Sequence, residues 1–528
     1  LNASFPVRES TIFSISEFTA RALGLLFLAK FVALFGLGSS GLFRTVLPVI
    51  GIACAIGSVG VPQAVTRLVS ASDVQERHTL YRDHLTVTAA TTVLSMGITM
   101  ALLLGLIQMS RIGHFGDADM VRLLLNSLPL LLITCISGTT RAMLLGMGMN
   151  FVTAASQILE ASVRLGLVIA AASAPVKKLD FSGAEAGIYM ITTSETMALL
   201  FLLAVLGFSL STKRLRVIHR SVSLRHRIQT WWSILRMSIS PTTQSLLASA
   251  GYALELPLAE HFLAVQFGEH QAEALVAEYA AVAIPLLCAP MFVTDGMATA
   301  LLPALTAQRA QRGRASLSAA LFSTIRAVAM MSIPVSAGLY ILAPVLCRWF
   351  GAGHAALLLC WLAPLAFPLY LQAPLASILQ AQGRGRALLY ASLFGDLVRI
   401  ASLYVCLGPL HLAEFGLALA CAISVVSQTL VLLTMALRLS PVSTPWSTLC
   451  HSVFSSVVVG AVCLVGLHVH HALGFEQAPW VWLVLAVTAS ALYLFIAGEI
   501  SPAALGSLPV VGSRLRQIAE FGLRRMIE

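Results

Sequence analysis

Long apolar runs recur along the chain with short polar breaks between them, and strand-length alternation is missing. Leu85–Gln108 and Leu449–Val469 each reach the roughly 20 residues that a helix needs to cross a bilayer core. In lipid every backbone polar group must bond within its own segment, so these runs predict helices. A barrel would show alternating segments of about ten residues instead. Spans are predicted near 13–35, 42–67, 85–109, 120–145, 150–174, 185–209, 236–264, 275–305, 322–345, 354–380, 387–408, 412–437, 448–470 and 479–500, about fourteen in all. The first carries Glu17, Arg21 and Lys30 without a cleavage pattern, so it is expected to be a retained span rather than a signal.

Composition agrees with lipid as the solvent. Hydrophobic residues make up 58% of the 528 positions and charged residues 11%, and the mean hydropathy is +0.87. A soluble domain carries about 25% charged residues, because its surface faces water. The nine cysteines are scattered singly, with no paired spacing for a disulfide framework or a metal. His468, His470 and His471 cluster without an acid or cysteine beside them, and no metal is assigned.

The net charge of +10 is distributed by loop. Arg77 and Arg82, the group Lys213, Arg214, Arg216, Arg220, Arg225 and Arg227, then Arg309, Arg312 and Arg314, then Arg384 and Arg386, and finally the tail from Arg514 to Arg525 fall in alternate connections. That is the positive-inside pattern, which puts both termini in the cytoplasm. It also removes the need for a nucleic-acid partner. The basic loop near 210–233 is expected to lie against anionic lipid of the inner leaflet.

Two stretches repeat. LLGMGMNFVTAASQILEASVRLGL begins at Leu144 and LQAQGRGRALLYASLFGDLVRIAS at Leu379, 235 residues apart (379 − 144). Gly148 falls on Gly383 and Val163-Arg164 on Val398-Arg399 in the same register. The repeats occupy spans five and eleven, which face the same way. The expected architecture is therefore an all-α membrane protein of two parallel six-helix lobes plus two C-terminal helices. The N-lobe covers 1–210, a basic cytoplasmic loop 211–235, the C-lobe 236–438, helices thirteen and fourteen 439–500, and a basic tail 501–528. Transporters built from such repeats bind substrate between the halves and rock them.

At these residues the chain resembles a known family. Ala20 to Val69, with ARALG, the turn GLGSSGLFR and the close GSVGVPQAVTRLV, looks like the first hairpin of the stage V sporulation protein B family. TTRAMLLGMGMNFVTAASQILEASVRL looks like its central signature, here with Ser156, Gln157, Glu160 and Arg164. The family lies within the multidrug/oligosaccharidyl-lipid/polysaccharide exporter superfamily. The resemblance implies two lobes around a central cavity, a bacterial cytoplasmic membrane location, and a polyprenyl-linked sugar as cargo, lipid II or a related undecaprenyl-linked glycan. The chain departs from the family at Phe27 and Leu28, where relatives often place a second cation. Lys30, nearly one turn beyond Phe27, is the nearest substitute.

Ionisable groups near the bilayer centre cost about 2.5–3.5 kcal/mol on insertion scales, so they face a cavity or a partner. Glu17 and Arg21, spaced i, i+4, share a helical face. Either Arg21 holds the cargo's pyrophosphate with Glu17 tuning it, or the two only neutralise each other. Arg44 either joins that site or snorkels to the headgroups. Glu255 and Glu260 straddle Pro257 in span seven, and Glu278 and Asp295 flank Pro285 and Pro290 in span eight. These four are candidates to bind a coupling sodium ion or proton. Glu160/Arg164 and Asp396/Arg399 can each close across one turn, and their recurrence favours structural clamps over cargo contacts; Glu195 is a further candidate partner.

No phosphate-binding loop, cofactor motif or enzyme motif is found, and GRGR at Gly383 lacks the Gly-Lys-Ser/Thr ending. The favoured reading is a flippase for a lipid-linked glycan, for which a monomer suffices. The competing readings are a drug/cation antiporter of the same superfamily and a non-transporting scaffold for envelope assembly.

Overall fold

The structure, a computed structural model, describes residues 5–58, 118–147, 149–173, 183–211, 224–309, 313–439, 446–473 and 479–497, with five single positions between 62 and 101. All regular structure among the described residues is helical. Ten of these helices are long and apolar enough to cross a membrane. The chain is an all-α, multi-pass membrane protein.

The helices fall where the hydropathy pattern places them. Helix α1 (Phe5–Ser58) carries the first two spans, and α2 (Ala118–Asn126) and α3 (Leu128–Gly146) together form the fourth. Next come α4 (Asn150–Ser173), α5 (Gly183–Ser211), α6 (Leu224–Phe267) and α7 (Glu269–Glu278). The span at 85–109 lies outside the described residues apart from Val93, Gly97 and Ala101, which are helical. The basic loop lies outside them as far as residue 223, and α6 then begins at Leu224, earlier than expected.

Two departures have local causes. The sequence suggests a loop across 36–44. The structure instead has one break, at Gly36 with φ +83°, and helix resumes at once. Glycine has no Cβ to oppose that conformation. In the eighth span the helix is remade around its prolines. A π-turn (Tyr279–Ala283) follows α7; then come α8 (Ile284–Cys288), a 3-10 turn (Ala289–Met291) and α9 (Phe292–Arg309). Pro285 offers no N–H and its ring presses on the carbonyl four residues back, which the wider π-turn accommodates. Pro290 sits in the 3-10 turn.

The remaining helices are α10 (Gly313–Trp349), α11 (Ala355–Leu362), α12 (Ala366–Ala381), α13 (Gly385–Leu407), α14 (Ala413–Leu439), α15 (Trp446–Leu473) and α16 (Pro479–Ile496). By contact the chain forms two units, Ser16–Ala281 and Val282–Glu528 with Leu1–Ile15. This grouping puts α6 and α7 in the first unit, where the sequence reading has them open the second lobe.

In the first unit, Phe43 and Ile50 of α1 pack with Leu123 and Leu124 of α2, Leu130 and Leu131 of α3, and Ile188 of α5. Phe27 and Phe31 meet Val168 of α4 and Met190 of α5. Gly183 and Gly187 let α5 approach this aromatic column: a Cβ at Gly187 would stand 3.0 Å from the rings of Phe31 and Phe43. In the second unit, the Tyr370 hydroxyl of α12 donates to the Leu287 carbonyl of α8 at 2.6 Å, fully buried. The last two helices pair through small and polar residues. Ser455 and Ser490 are 2.7 Å apart, and Gly466 leaves room for Trp482.

The internal repeat is visible atom by atom. Helices α3 and α12 end at Gly146 and Ala381, and α4 and α13 begin at Asn150 and Gly385, in both cases 235 residues apart (381 − 146, 385 − 150). Both intervening turns close in the same way. Met149 N–H donates to the Leu144 carbonyl at 2.9 Å, and Arg384 N–H to that of Leu379 at 3.0 Å. Each turn ends one helix and reverses the chain into the next, so an identical bond in both fixes the same helical hairpin twice.

Gly183 is the tightest of these close approaches within the first unit. An added Cβ would lie 2.8 Å from Phe35 Cβ and 2.7 Å from Ser39 Oγ, and Phe35 Cβ cannot swing away. Gly183→Ala is expected to cost about 1–3 kcal/mol through overpacking. It should lower the midpoint of thermal unfolding in detergent, whereas alanine at Gly207, which has open space around it, should not.

Candidate functional site

Within the first unit, four ionisable side chains from three membrane-spanning helices meet. Arg141 of α3 reaches Glu160 of α4 with Nη2 to Oε2 at 2.8 Å, and Glu195 of α5 at 3.6 Å. Arg164 of α4 pairs with the other oxygen of Glu160 across one helical turn. Its Nε donates to Ser194 Oγ at 3.3 Å, and its guanidinium lies 6.0 Å from the centre of the Phe27 ring. One carboxylate, Glu160, thus bridges two guanidinium groups, and Glu195 closes the set to neutrality.

The depth of the cluster follows from chain geometry. Glu160 is ten residues into α4 and Arg164 fourteen, roughly 15 and 21 Å of helix rise. The side chains of Arg141, Glu160, Arg164 and Glu195 retain 24%, 17%, 22% and 8% of their exposure. Charges at that depth are not tolerated against lipid tails, so the open side faces protein or water. Gln157 sits one turn before Glu160 on the same face, and its buried Oε1 has no hydrogen-bond partner among the described residues.

The second repeat keeps part of this arrangement. Arg399 Nε of α13 donates to Ser424 Oγ of α14 at 3.3 Å, as Arg164 does to Ser194. Ser424 in turn donates to the Gly395 carbonyl at 3.0 Å. The positions matching Arg141, Glu160 and Glu195 are Ala376, Gly395 and Val425. The tether of arginine to serine is common to both repeats, and the surrounding charges are not.

The other expected residues are spread more widely. Arg21 is partly buried on α1, whereas Lys30 is exposed. Nine residues apart on a helix, the two sit on opposite faces, so Lys30 does not join the face of Arg21. Glu17 and Arg44 lie on α1, with side chains outside the described residues. Glu255 is buried and its Oε1 accepts from the Tyr279 hydroxyl at 2.9 Å, which ties α6 to the π-turn. Glu278 is buried at the end of α7, Glu260 is partly buried on α6, and Asp295 is partly buried in the first turn of α9. Asp396 is partly buried on α13, one turn from the buried Arg399.

Sequence reasoning missed the role of Arg141, and the pair in which Arg122 Nε contacts the buried Glu185 at 2.6 Å. Asn126 adds a bond to the same Glu185 oxygen at 3.0 Å. Glu185 lies in the first turn of α5, where a carboxylate also meets the positive end of the helix dipole.

The fold is that of the exporter superfamily suggested by the sequence. An inward-facing multidrug resistance MATE family transporter of the MOP superfamily superposes with a TM-score of 0.62 and 19% identity, over 81% of this chain and 98% of that one. Its outward-facing form gives 0.62 and 19%, over 82% and 96%. A MOP superfamily transporter from Pyrococcus furiosus, described as having a binding pocket of reversed polarity, gives 0.61 and 19%, again over 82% and 96%. A search against protein-family profiles finds no match. The chain is similar along nearly its whole length to Stage V sporulation protein B of Bacillus subtilis, 24% identical over 512 residues, 96% of this chain and 98% of that protein. The resemblance read from the two sequence motifs therefore extends well beyond them.

The contact between Tyr279 and Glu255 can be tested by removing one oxygen. Tyr279→Phe leaves a buried carboxylate oxygen short of a donor at the π-turn. It is expected to destabilise the protein by about 1–3 kcal/mol, measured by thermal unfolding in detergent, with the helix content of the folded state unchanged.

Proposed function

We propose that the chain is a flippase that carries an undecaprenyl-pyrophosphate-linked glycan across the bacterial cytoplasmic membrane. The observation that carries this reading is the similarity to Stage V sporulation protein B over 96% of the chain. The arginines in its spanning helices support it. A pyrophosphate headgroup cannot cross the hydrocarbon layer without cationic groups to replace its water, and guanidinium is suited to bidentate phosphate contact. The polyprenyl tail needs no such help, because it stays in lipid.

In this reading two six-helix lobes alternate access to a cavity between them, with both termini in the cytoplasm. Arg21, tuned by Glu17 and assisted by Arg44, engages the headgroup. The basic loops rest on anionic lipid, and one chain suffices. Energy comes from an ion gradient or from consumption of the product outside, with Glu255, Glu260, Glu278 and Asp295 as candidates to bind sodium or a proton. A small-cation exporter of the same superfamily is the second reading. The guanidinium groups of Arg21, Arg141 and Arg164 weigh against it, because each repels a cationic cargo.

The test is translocation of lipid II in cells depleted of their own flippase and complemented with this chain. Wild type is expected to restore translocation, and Arg21→Ala to lose most of it at equal membrane abundance. Failure of well-expressed wild type would remove lipid II as the cargo. Full activity of Arg21→Ala would remove the first helix from the site.

A further inference from the structure

We infer that Arg141 and Arg164 form a binding site for a phosphate or pyrophosphate group, and that the Glu160 carboxylate occupies this site in the ligand-free protein. The choice of anion rests on the flippase reading; the site itself rests on geometry. Two guanidinium groups from different helices converge on the two oxygens of one carboxylate. That is the contact a phosphate would make, since guanidinium donors match carboxylate and phosphate oxygens in the same bidentate manner.

Three observations distinguish this from a clamp that serves only the fold. First, the second repeat builds the same hairpin and the same arginine–serine bond with Ala376, Gly395 and Val425 in place of Arg141, Glu160 and Glu195. Folding this unit therefore does not call for the extra charges. Second, both arginines keep about a fifth to a quarter of their side-chain exposure at mid-span depth, so a ligand can reach them. Third, polar capacity is left over at the same place: Arg141 Nε and Gln157 Oε1 are buried without a hydrogen-bond partner among the described residues. An incoming phosphate would take the guanidinium donors from Glu160, and Gln157 Oε1 could then accept from a hydroxyl of the attached sugar.

Glu195 fits the same scheme. It stands 3.6 Å from Arg141, a longer contact than that of Glu160. When a ligand draws Arg141 away from Glu160, Glu195 still holds that guanidinium within α3 and α5. Phe27 backs Arg164 from the other side, at the position where a second cation on the first helix would repel it.

The test uses the full-length protein in phosphatidylcholine nanodiscs, with inorganic pyrophosphate in solution and undecaprenyl pyrophosphate in the disc as separate probes. Glu160→Gln removes the competing charge and is expected to tighten binding about tenfold, equivalent to about 1.4 kcal/mol. Arg141→Gln and Arg164→Gln are expected to weaken it by at least a similar factor. A clamp that serves only the fold makes the opposite prediction for Glu160→Gln: binding unchanged or weaker, and this overturns the proposal. Should Glu160→Gln not fold, Arg141→Lys decides, because it keeps the charge and loses the two-pronged contact. Intermediate affinity supports the site and unchanged affinity overturns it. Binding of both probes means that the headgroup chemistry alone is recognised; binding of the lipid alone makes the membrane-borne form the ligand; binding of neither overturns the site. If the wild type binds pyrophosphate at the cluster but translocates no lipid-linked glycan, the flippase reading fails and the site stands. If it translocates while none of these variants alters binding, the site fails and the reading stands.

Discussion

A guanidinium carried into the hydrocarbon layer must be solvated by the protein itself, and this requirement organises the helical repeat. In each half an arginine on the helix after the glycine-containing turn donates through Nε to a serine on the next helix, Arg164 to Ser194 and Arg399 to Ser424. The bond fixes the rotation of one helix against its neighbour at a depth where water cannot substitute. The turn before it is fixed as well, by equivalent backbone bonds from Met149 and Arg384. With both ends of the hairpin held, apolar packing can fill the remainder without specifying direction.

On this shared frame the two halves diverge. The first adds Arg141, Glu160 and Glu195; the second has Ala376, Gly395 and Val425 at those places, and at Gly395 it packs the Gln428 side chain against the helix backbone instead. A network of four charges is a costly way to join three helices. Replacing such a network with apolar residues is often neutral or stabilising. Its presence in one half alone therefore points to a task that the fold does not impose, and anion recognition accounts for the partial exposure and for the surplus donors and acceptors.

Most of the helices were legible from hydropathy, because lipid demands long apolar runs and the polar breaks between them are short. The repeat was legible too, since both Val-Arg pairs and both turns keep one register. The Glu160–Arg164 pair could be anticipated because its members are one turn apart. Arg141 was not placed, since its partners lie 19 and 54 residues away (160 − 141, 195 − 141) and only tertiary packing brings them together. Arg122 and Glu185 escaped for the same reason. The single break at Gly36 also ran against expectation: a glycine- and serine-rich stretch reads as a loop, yet one residue in the left-handed region was enough to redirect the chain. Lys30 was grouped with Arg21 by distance along the chain, and helical rotation puts it on the far side.

The most direct test of this account gives the first repeat the charge set of the second while keeping its Glu160–Arg164 pair. The measurement is thermal unfolding together with lipid-linked glycan translocation for the double variant Arg141→Ala/Glu195→Val. The account predicts a folded protein with an unfolding midpoint close to wild type and translocation largely lost. A variant that unfolds or is cleared from the membrane would make these charges structural. One that translocates at the wild-type rate would exclude them from cargo handling.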